Sequence, residues 1–284
     1  MDNGEQGWGT SSNEAARLQQ EYECMATKFV KDGINMEHIA STAEFYGASD
    51  TEQGKLRPLP YSRLPRPLPD AAVRLLVIPL LDQQLVVKAD QLCKDVVSKL
   101  PEDVQVYFNK GEKLHITQFH ASRPEDVRPN AFDPSGGCDL AVANHERPGP
   151  AQAYLPLELE AMEHIVNTTP RPTLVPERVL MSDTGTLLLT WVDRSGNIDR
   201  LRSALRSCFP GSPPKQTGII HTTLCRVVAG GPFNAATRKA VAEECDKWTG
   251  LLKGHVFQPS VAWYVLEELY SNCVGPTTPL EFMQ

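Results

Sequence analysis

Two short motifs carry the side chains best suited to chemistry, Leu114-His115-Ile116-Thr117 and Ile220-His221-Thr222-Thr223. Their histidines lie 106 residues apart (221 − 115). In a strand, residues i and i+2 face the same side. His115 and Thr117 are therefore expected to point together, as are His221 and Thr223, while Ile116 and Thr222 point away. Histidine is the side chain whose ordinary pKa lies nearest neutrality, so one ring can take a proton while another gives one. A hydroxyl two residues along the strand is placed to donate to an anionic oxygen. Two such strands facing each other would set a base, an acid and two hydroxyls around one phosphate, the arrangement that opening a cyclic phosphodiester with water requires. A single His-x-Thr is common by chance; two of them, each in a strand-like stretch with apolar flanks, are less so.

The elements that must position these residues follow from periodicity. Val73–Ile78 reads as a strand, Leu85, Ala89, Leu92, Val96 and Leu100 as a helix face, Val104–Phe108 as a short strand, and Lys113–His120 as the first motif strand. Residues 121–153, rich in Pro, Gly and Asp, read as a long surface loop. A helix is expected through Leu155, Leu159, Met162 and Val166. A hairpin over 173–181 and 186–192 turns at Ser182-Asp183-Thr184-Gly185. Ile198, Leu201, Leu205 and Cys208 mark another helix, Gly218–Val228 the second motif strand, Val241, Cys245 and Trp248 the inner face of a helix from Asn234, and Val256–Leu266 the last strand. Strand, helix and His-x-Thr strand thus occur in that order over 73–120 and again over 186–228, as one unit used twice.

Before this body, residues 1–13 read as disordered. Ser11-x-x-Glu14 resembles a capping box, opening a helix over 14–32 whose stripe Leu18, Tyr22, Met25 and Phe29 ends at Gly33. Residues 57–69 (RPLPYSRLPRPLP) are too proline-dense for a helix or central strand and read as an extended linker. The division expected is an N-terminal extension over 1–56, a linker over 57–71, a domain over 72–270 and a tail over 271–284. The amphipathic helix and the proline-rich stretch are the places a protein partner would dock.

Composition narrows the class. A net charge of −7 argues against a broad grip on a long nucleic acid, while leaving room for a small nucleotide or an RNA end. Seven scattered cysteines without a CxxC fit reduced thiols in the cytoplasm or nucleus better than a disulfide framework or a zinc site. No segment is long and apolar enough for a membrane span, so no membrane contact is expected. His38, His145, His164 and His255 lack metal-ligand spacing, and neither metal nor cofactor is implied. A monomer is expected.

By strand parity Phe119 continues the face of His115 and is a candidate for stacking on a base, and Cys225 continues that of His221. His120 and Arg226 have the opposite parity, which predicts structural or solvent roles. Arg200, Arg202 and Arg206 read as a solvated helix face. Of Trp263 and Tyr264, one must face inward and the other outward.

With their flanks, the segments KLHITQFHASRPED and GIIHTTLCRVV resemble the signature of the two-histidine (2H) phosphoesterase superfamily, the LigT-like and cyclic-nucleotide phosphodiesterase group. VRLLVIPL and SVAWYVLEELY resemble that family's first and last strands, so the resemblance spans residues 72–270 and leaves the first 70 uncovered. It implies an α+β fold of two antiparallel lobes, related by a pseudo-two-fold axis, with helices outside and a central cleft. It further implies His115 and His221 as the catalytic acid–base pair and Thr117 and Thr223 as phosphate-binding residues. The expected activity is metal-independent hydrolysis of a 2′,3′-cyclic phosphate or a 2′-linked phosphodiester of a nucleotide or RNA end. The alternatives are a nucleotide-binding or scaffolding module on the same fold, and an RNA-end ligase or trimming exonuclease.

Overall fold

The computed structural model describes residues 9–48, 55–109 and 111–284. The chain opens with α1 (Gly9–Asp32), then α2 (Met36–Thr42), whose first turn is capped by the Asn35 side chain accepting from the Glu37 and His38 N–H groups. A short pair, β1 (Tyr46–Ala48) and β2 (Leu56–Pro58), follows. The body then runs β3 (Val73–Pro79), α3 (Gln83–Val97), β4 (Gln105–Phe108), β5 (His115–Ser122), α4 (Tyr154–Asn167), β6 (Leu174–Met181), β7 (Thr186–Asp193), α5 (Asn197–Cys208), β8 (His221–Ala229), α6 (Ala235–Leu252), β9 (Val261–Glu267) and β10 (Thr277–Glu281). Asp82 and Asn234 cap α3 and α6 with their side chains, as Asp and Asn commonly do.

The main sheet is antiparallel throughout, in the order β10-β9-β3-β5-β8-β7-β6, with β4 also paired to β8. It divides into two lobes, β10-β9-β3-β5 and β4-β8-β7-β6. A single residue pair, Ile116 opposite Thr222, joins them. The repeated unit read from the sequence is present as β3-α3-β5 and β7-α5-β8, with β4 added to the first. The helices are exchanged between lobes: α3, which follows β3, packs on β8 and α6, and α5, which follows β7, packs on β5 and α4. Each lobe thereby covers the other's motif strand, and the bilobal α+β architecture with outer helices is the one expected.

The N-terminal extension differs from the expectation. Residues 9–13, expected to be disordered, belong to α1, so Ser11 lies inside the helix rather than at its cap; residues 1–8 lie outside the described residues. Glu14 is held by Arg17 at 2.6–2.8 Å instead of reaching back to the helix start. The stripe Leu18, Tyr22 and Phe29 is buried in the main core, with Met25 packed beside it. At about 1.5–3 kcal/mol for each large side chain buried, this face is a substantial part of the domain's own stability rather than a free docking surface. The proline-dense stretch is likewise packed along the body. Tyr61 and Leu64 are buried, the Tyr61 hydroxyl donates to Glu267 at 2.7 Å, and Pro60 bridges to Leu269. The expected tail carries β10, an edge strand on β9, where Pro279 needs no partner on its outer side.

β5 runs on to Ser122, and the long loop after it is pinned. Asp126 accepts from Arg128 and Arg147 at 2.8–3.1 Å, and Val127 and Ala131 are buried. On β9, Tyr264 turns into the core and donates to the buried Glu158 carboxylate at 2.8 Å, which also pairs with the buried Arg74. Trp263 packs against the second, smaller core with Val77 and Val265. No helix among the described residues is long and apolar enough to cross a membrane.

Candidate active site

The joining pair decides the geometry of the two motifs. Ile116 and Thr222 are the middle residues of the two His-x-Thr sequences, and they face each other in antiparallel register. That register sets His115 across from Thr223 and Thr117 across from His221. The two histidines become diagonal neighbours, and such neighbours lie about 7–8 Å apart, their Cβ atoms somewhat closer. All four side chains line one cleft of about 810 Å³, within the usual size of a small-ligand site, roughly 300–1,000 Å³. The backs of the strands are closed: Ile116 is in the main core, and Thr222 accepts from the Trp191 indole N–H at 3.1 Å.

The rings are oriented alike. His115 Nδ1 lies 2.7 Å from the Lys113 carbonyl, so that nitrogen carries the proton and Nε2 keeps its lone pair. His221 makes the corresponding bond to the carbonyl of Ile219, also two residues upstream. Burial lowers the pKa of His115, opposed by its carbonyl bond. Burial is also the main cause that pushes His221 down to about 3, with the charges of Arg202, His115 and Arg226 adding to it. Both rings are therefore neutral at pH 7.

Several residues read otherwise from the sequence belong to this site. β5 carries an extra residue at Gln118: Leu76 pairs with Phe119, but Val77 pairs with Thr117. β8 carries one at Leu224: Leu187 pairs with Cys225, but Leu188 pairs with Thr223. A bulge shifts side-chain parity by one. Phe119 therefore turns into the core, 1% exposed and 5.7 Å from Phe209, and does not stack on a ligand. Cys225 turns inward with it, while His120 and Arg226 turn into the cleft. Arg226 lies over the Tyr270 ring at 5.7 Å and forms no ion pair among the described residues.

Arg202 is not a solvated helix residue. It is 5% exposed, and its Nη2 donates to the carbonyls of Thr117 (2.9 Å) and Ile219 (3.0 Å), tying both motif strands together from behind. Burial lowers its pKa to about 10. From α1, the Tyr22 hydroxyl donates toward the carbonyls of Trp191 (2.9 Å) and Ile220 (3.1 Å) and accepts from the Ile220 N–H (3.1 Å), immediately before His221. Asn109 supports the other end, donating to the Thr223 carbonyl at 3.1 Å. The α2 segment supplies His38, Ser41, Thr42 and Phe45 to the cleft wall, all from outside the stretch that carried the family resemblance.

The acidic side chains along the wall are mostly engaged. Asp126 is held by two arginines, Glu125 by Arg123 at 3.4 Å, and Glu267 by the Tyr61 hydroxyl and the N–H groups of Asn272 and Cys273. Arg226 brings positive charge into the cleft of a chain of net charge −7, while Lys215 and Glu44, of opposite sign, are exposed at its rim.

No family model matches the chain, and no curated protein matches it in sequence. Among solved structures it is similar to a conserved protein of unknown function from Agrobacterium tumefaciens, at a TM-score of 0.50 and 13% identity, over 80% of this chain and 95% of that one. Kluyveromyces marxianus Usb1 aligns at a TM-score of 0.49 and 13% identity over 75% of this chain and 99% of its own. Usb1 with uridine monophosphate aligns at 0.47 and 12% over the same shares. At these identities the Agrobacterium likeness is one of fold, and the chemistry rests on the cleft itself.

Proposed function

We propose that the chain is a phosphodiesterase that hydrolyses a cyclic phosphate, or a 2′-linked phosphodiester, of a nucleotide or RNA end by histidine acid–base catalysis. The observation that carries this reading is the Ile116–Thr222 pair, which turns two His-Thr dyads onto one face of one cleft. A phosphate between them would receive hydrogen bonds from Thr117 and Thr223, and Arg226 would offset its charge. One imidazole takes a proton from water as the water oxygen bonds to phosphorus. The other, protonated, gives its proton to the ribose oxygen as the phosphorus–oxygen bond breaks. Exchange with solvent restores both rings. The phosphate anion raises the pKa of the neutral histidine beside it, and that ring takes the proton it later gives from solvent.

The neutrality of both rings also favours a second reading, a nucleotide-binding module without turnover. A panel of 2′,3′-cyclic and 2′-linked substrates, assayed for turnover beside calorimetry with a nucleoside monophosphate, separates the two. Turnover of any of them supports the enzyme. Tight binding with no turnover supports the module.

A further inference from the structure

The cleft holds a third histidine that neither dyad includes. His120 and Arg226 occupy corresponding places, five residues after His115 and His221, and each is turned inward by a bulge three residues after its histidine. The backbone of His120 is clamped: its N–H donates to Gln216 Oε1 and its carbonyl accepts from Gln216 Nε2, both at 2.9 Å, and Nε2 also reaches the Pro213 carbonyl at 2.9 Å. The ring is not clamped. Its Nδ1 is fully buried without a partner, and no described group bonds the ring. Buried polar atoms are nearly always satisfied, so a buried ring nitrogen without a partner, on a backbone held this firmly, is unusual.

The surroundings suggest one. The groups acting on the ring are Arg123, His115 and His221, with no carboxylate among them, so nothing nearby favours its charged form. Buried N–H groups left without an acceptor are rarer than buried acceptors left without a donor. The proton therefore belongs on Nε2, the nitrogen left to face the cleft. Lobe two presents a charged donor at this position, Arg226, and lobe one presents a neutral donor, the His120 ring.

On the phosphodiesterase reading above, we propose that His120 is a further phosphate-contacting residue, donating from Nε2 to a non-bridging oxygen opposite Arg226, and is not one of the acid–base pair. The test uses the full chain with His120→Ala and His120→Gln, since the Gln Nε2 falls near the position of the His Nε2. Turnover of a 2′,3′-cyclic mononucleotide is followed across pH, and the Kd of inorganic phosphate is measured by calorimetry. Thermal melts of both variants are taken as a fold control. Removing one such donor lowers kcat/KM by about tenfold or more. His120→Ala should show that loss and weaken phosphate binding. His120→Gln should restore most of both and keep both limbs of the pH profile, because a neutral donor does not titrate there. Unchanged kinetics and phosphate affinity in His120→Ala overturn the proposal. So does loss of one pH limb in His120→Gln, which would make His120 an acid or base. Equal loss of turnover in the two variants with phosphate affinity unchanged overturns it as well, by making the role structural. A wild-type activity that does not depend on His115 and His221 would instead overturn the phosphodiesterase reading, and the phosphate affinities would still decide the His120 contact.

Discussion

Tyr22→Phe removes one hydroxyl from α1 and nothing else, yet it should reach the candidate active site. The hydroxyl is 1% exposed as part of its residue and sits between the Ile220 N–H and the carbonyls of Trp191 and Ile220. Without it the buried Ile220 N–H loses its acceptor, at about 1–3 kcal/mol, and a buried carbonyl loses a donor, at about 0.5–1.5 kcal/mol. The sum, about 1.5–4.5 kcal/mol, is a large part of a typical stability of roughly 5–15 kcal/mol. At about 2–4 °C per kcal/mol for a chain of this order of size, Tm should fall by about 10 °C. The N–H precedes His221, so relief of the unpaired group moves the ring, and kcat should fall about tenfold, more than KM changes, as misplacement of a reacting group does. Thr27→Ala, on the exposed face of the same helix, is the control and should stay within about 0.5 kcal/mol of wild type. Calorimetric melts and steady-state kinetics on a cyclic mononucleotide read both effects. If Tyr22→Phe melts and turns over as wild type does, α1 is a passive cover and the reasoning fails.

The depressed histidines make further predictions. His120 and His221 have folded pKa values of about 3, below the ordinary 6.5, so they favour the folded state fully above pH 6.5 and progressively less as pH falls toward 3. Each then contributes a loss of about 2 kcal/mol between pH 7.5 and pH 5, and urea unfolding of His120→Gln should lack about that much of the wild-type difference; an identical pH dependence in the two proteins counts against it. On the proposed mechanism the kcat/KM profile, which reports the free protein, should be a bell centred below pH 6.5 because both motif histidines are pushed down; a bell centred above pH 7 would contradict the burial of those rings. Phe119→Leu should cost about 1–3 kcal/mol of stability and leave KM unchanged; a raised KM with intact stability would return Phe119 to the cleft.

The order of elements and the paired motifs were legible because both rest on local periodicity, and the second motif occurs at the same place in the repeated unit as the first. Side-chain direction beyond Thr117 and Thr223 was not. A bulge costs no residue type that announces it, and Gln118 and Leu224 are ordinary strand residues. The common offset of His120 and Arg226 from the two motif histidines was the one trace of it in the sequence. Arg202 lies four residues after Ile198, on the apolar face of α5, so periodicity placed it correctly, whereas the habit of assigning arginine to solvent did not. The N-terminal helix announced its buried stripe but not the Tyr22 hydroxyl bonds, which depend on contacts about 170 to 200 residues away in sequence.

On the proposed function, His115 and His221 form one acid–base pair across the Ile116–Thr222 junction. Its most direct test is hydrolysis of a 2′,3′-cyclic mononucleotide by the wild-type chain beside His115→Asn and His221→Asn, each verified as folded by its melt. The wild type should turn over measurably, and both variants should fall by at least about 100-fold. Wild-type turnover in either folded variant would contradict it.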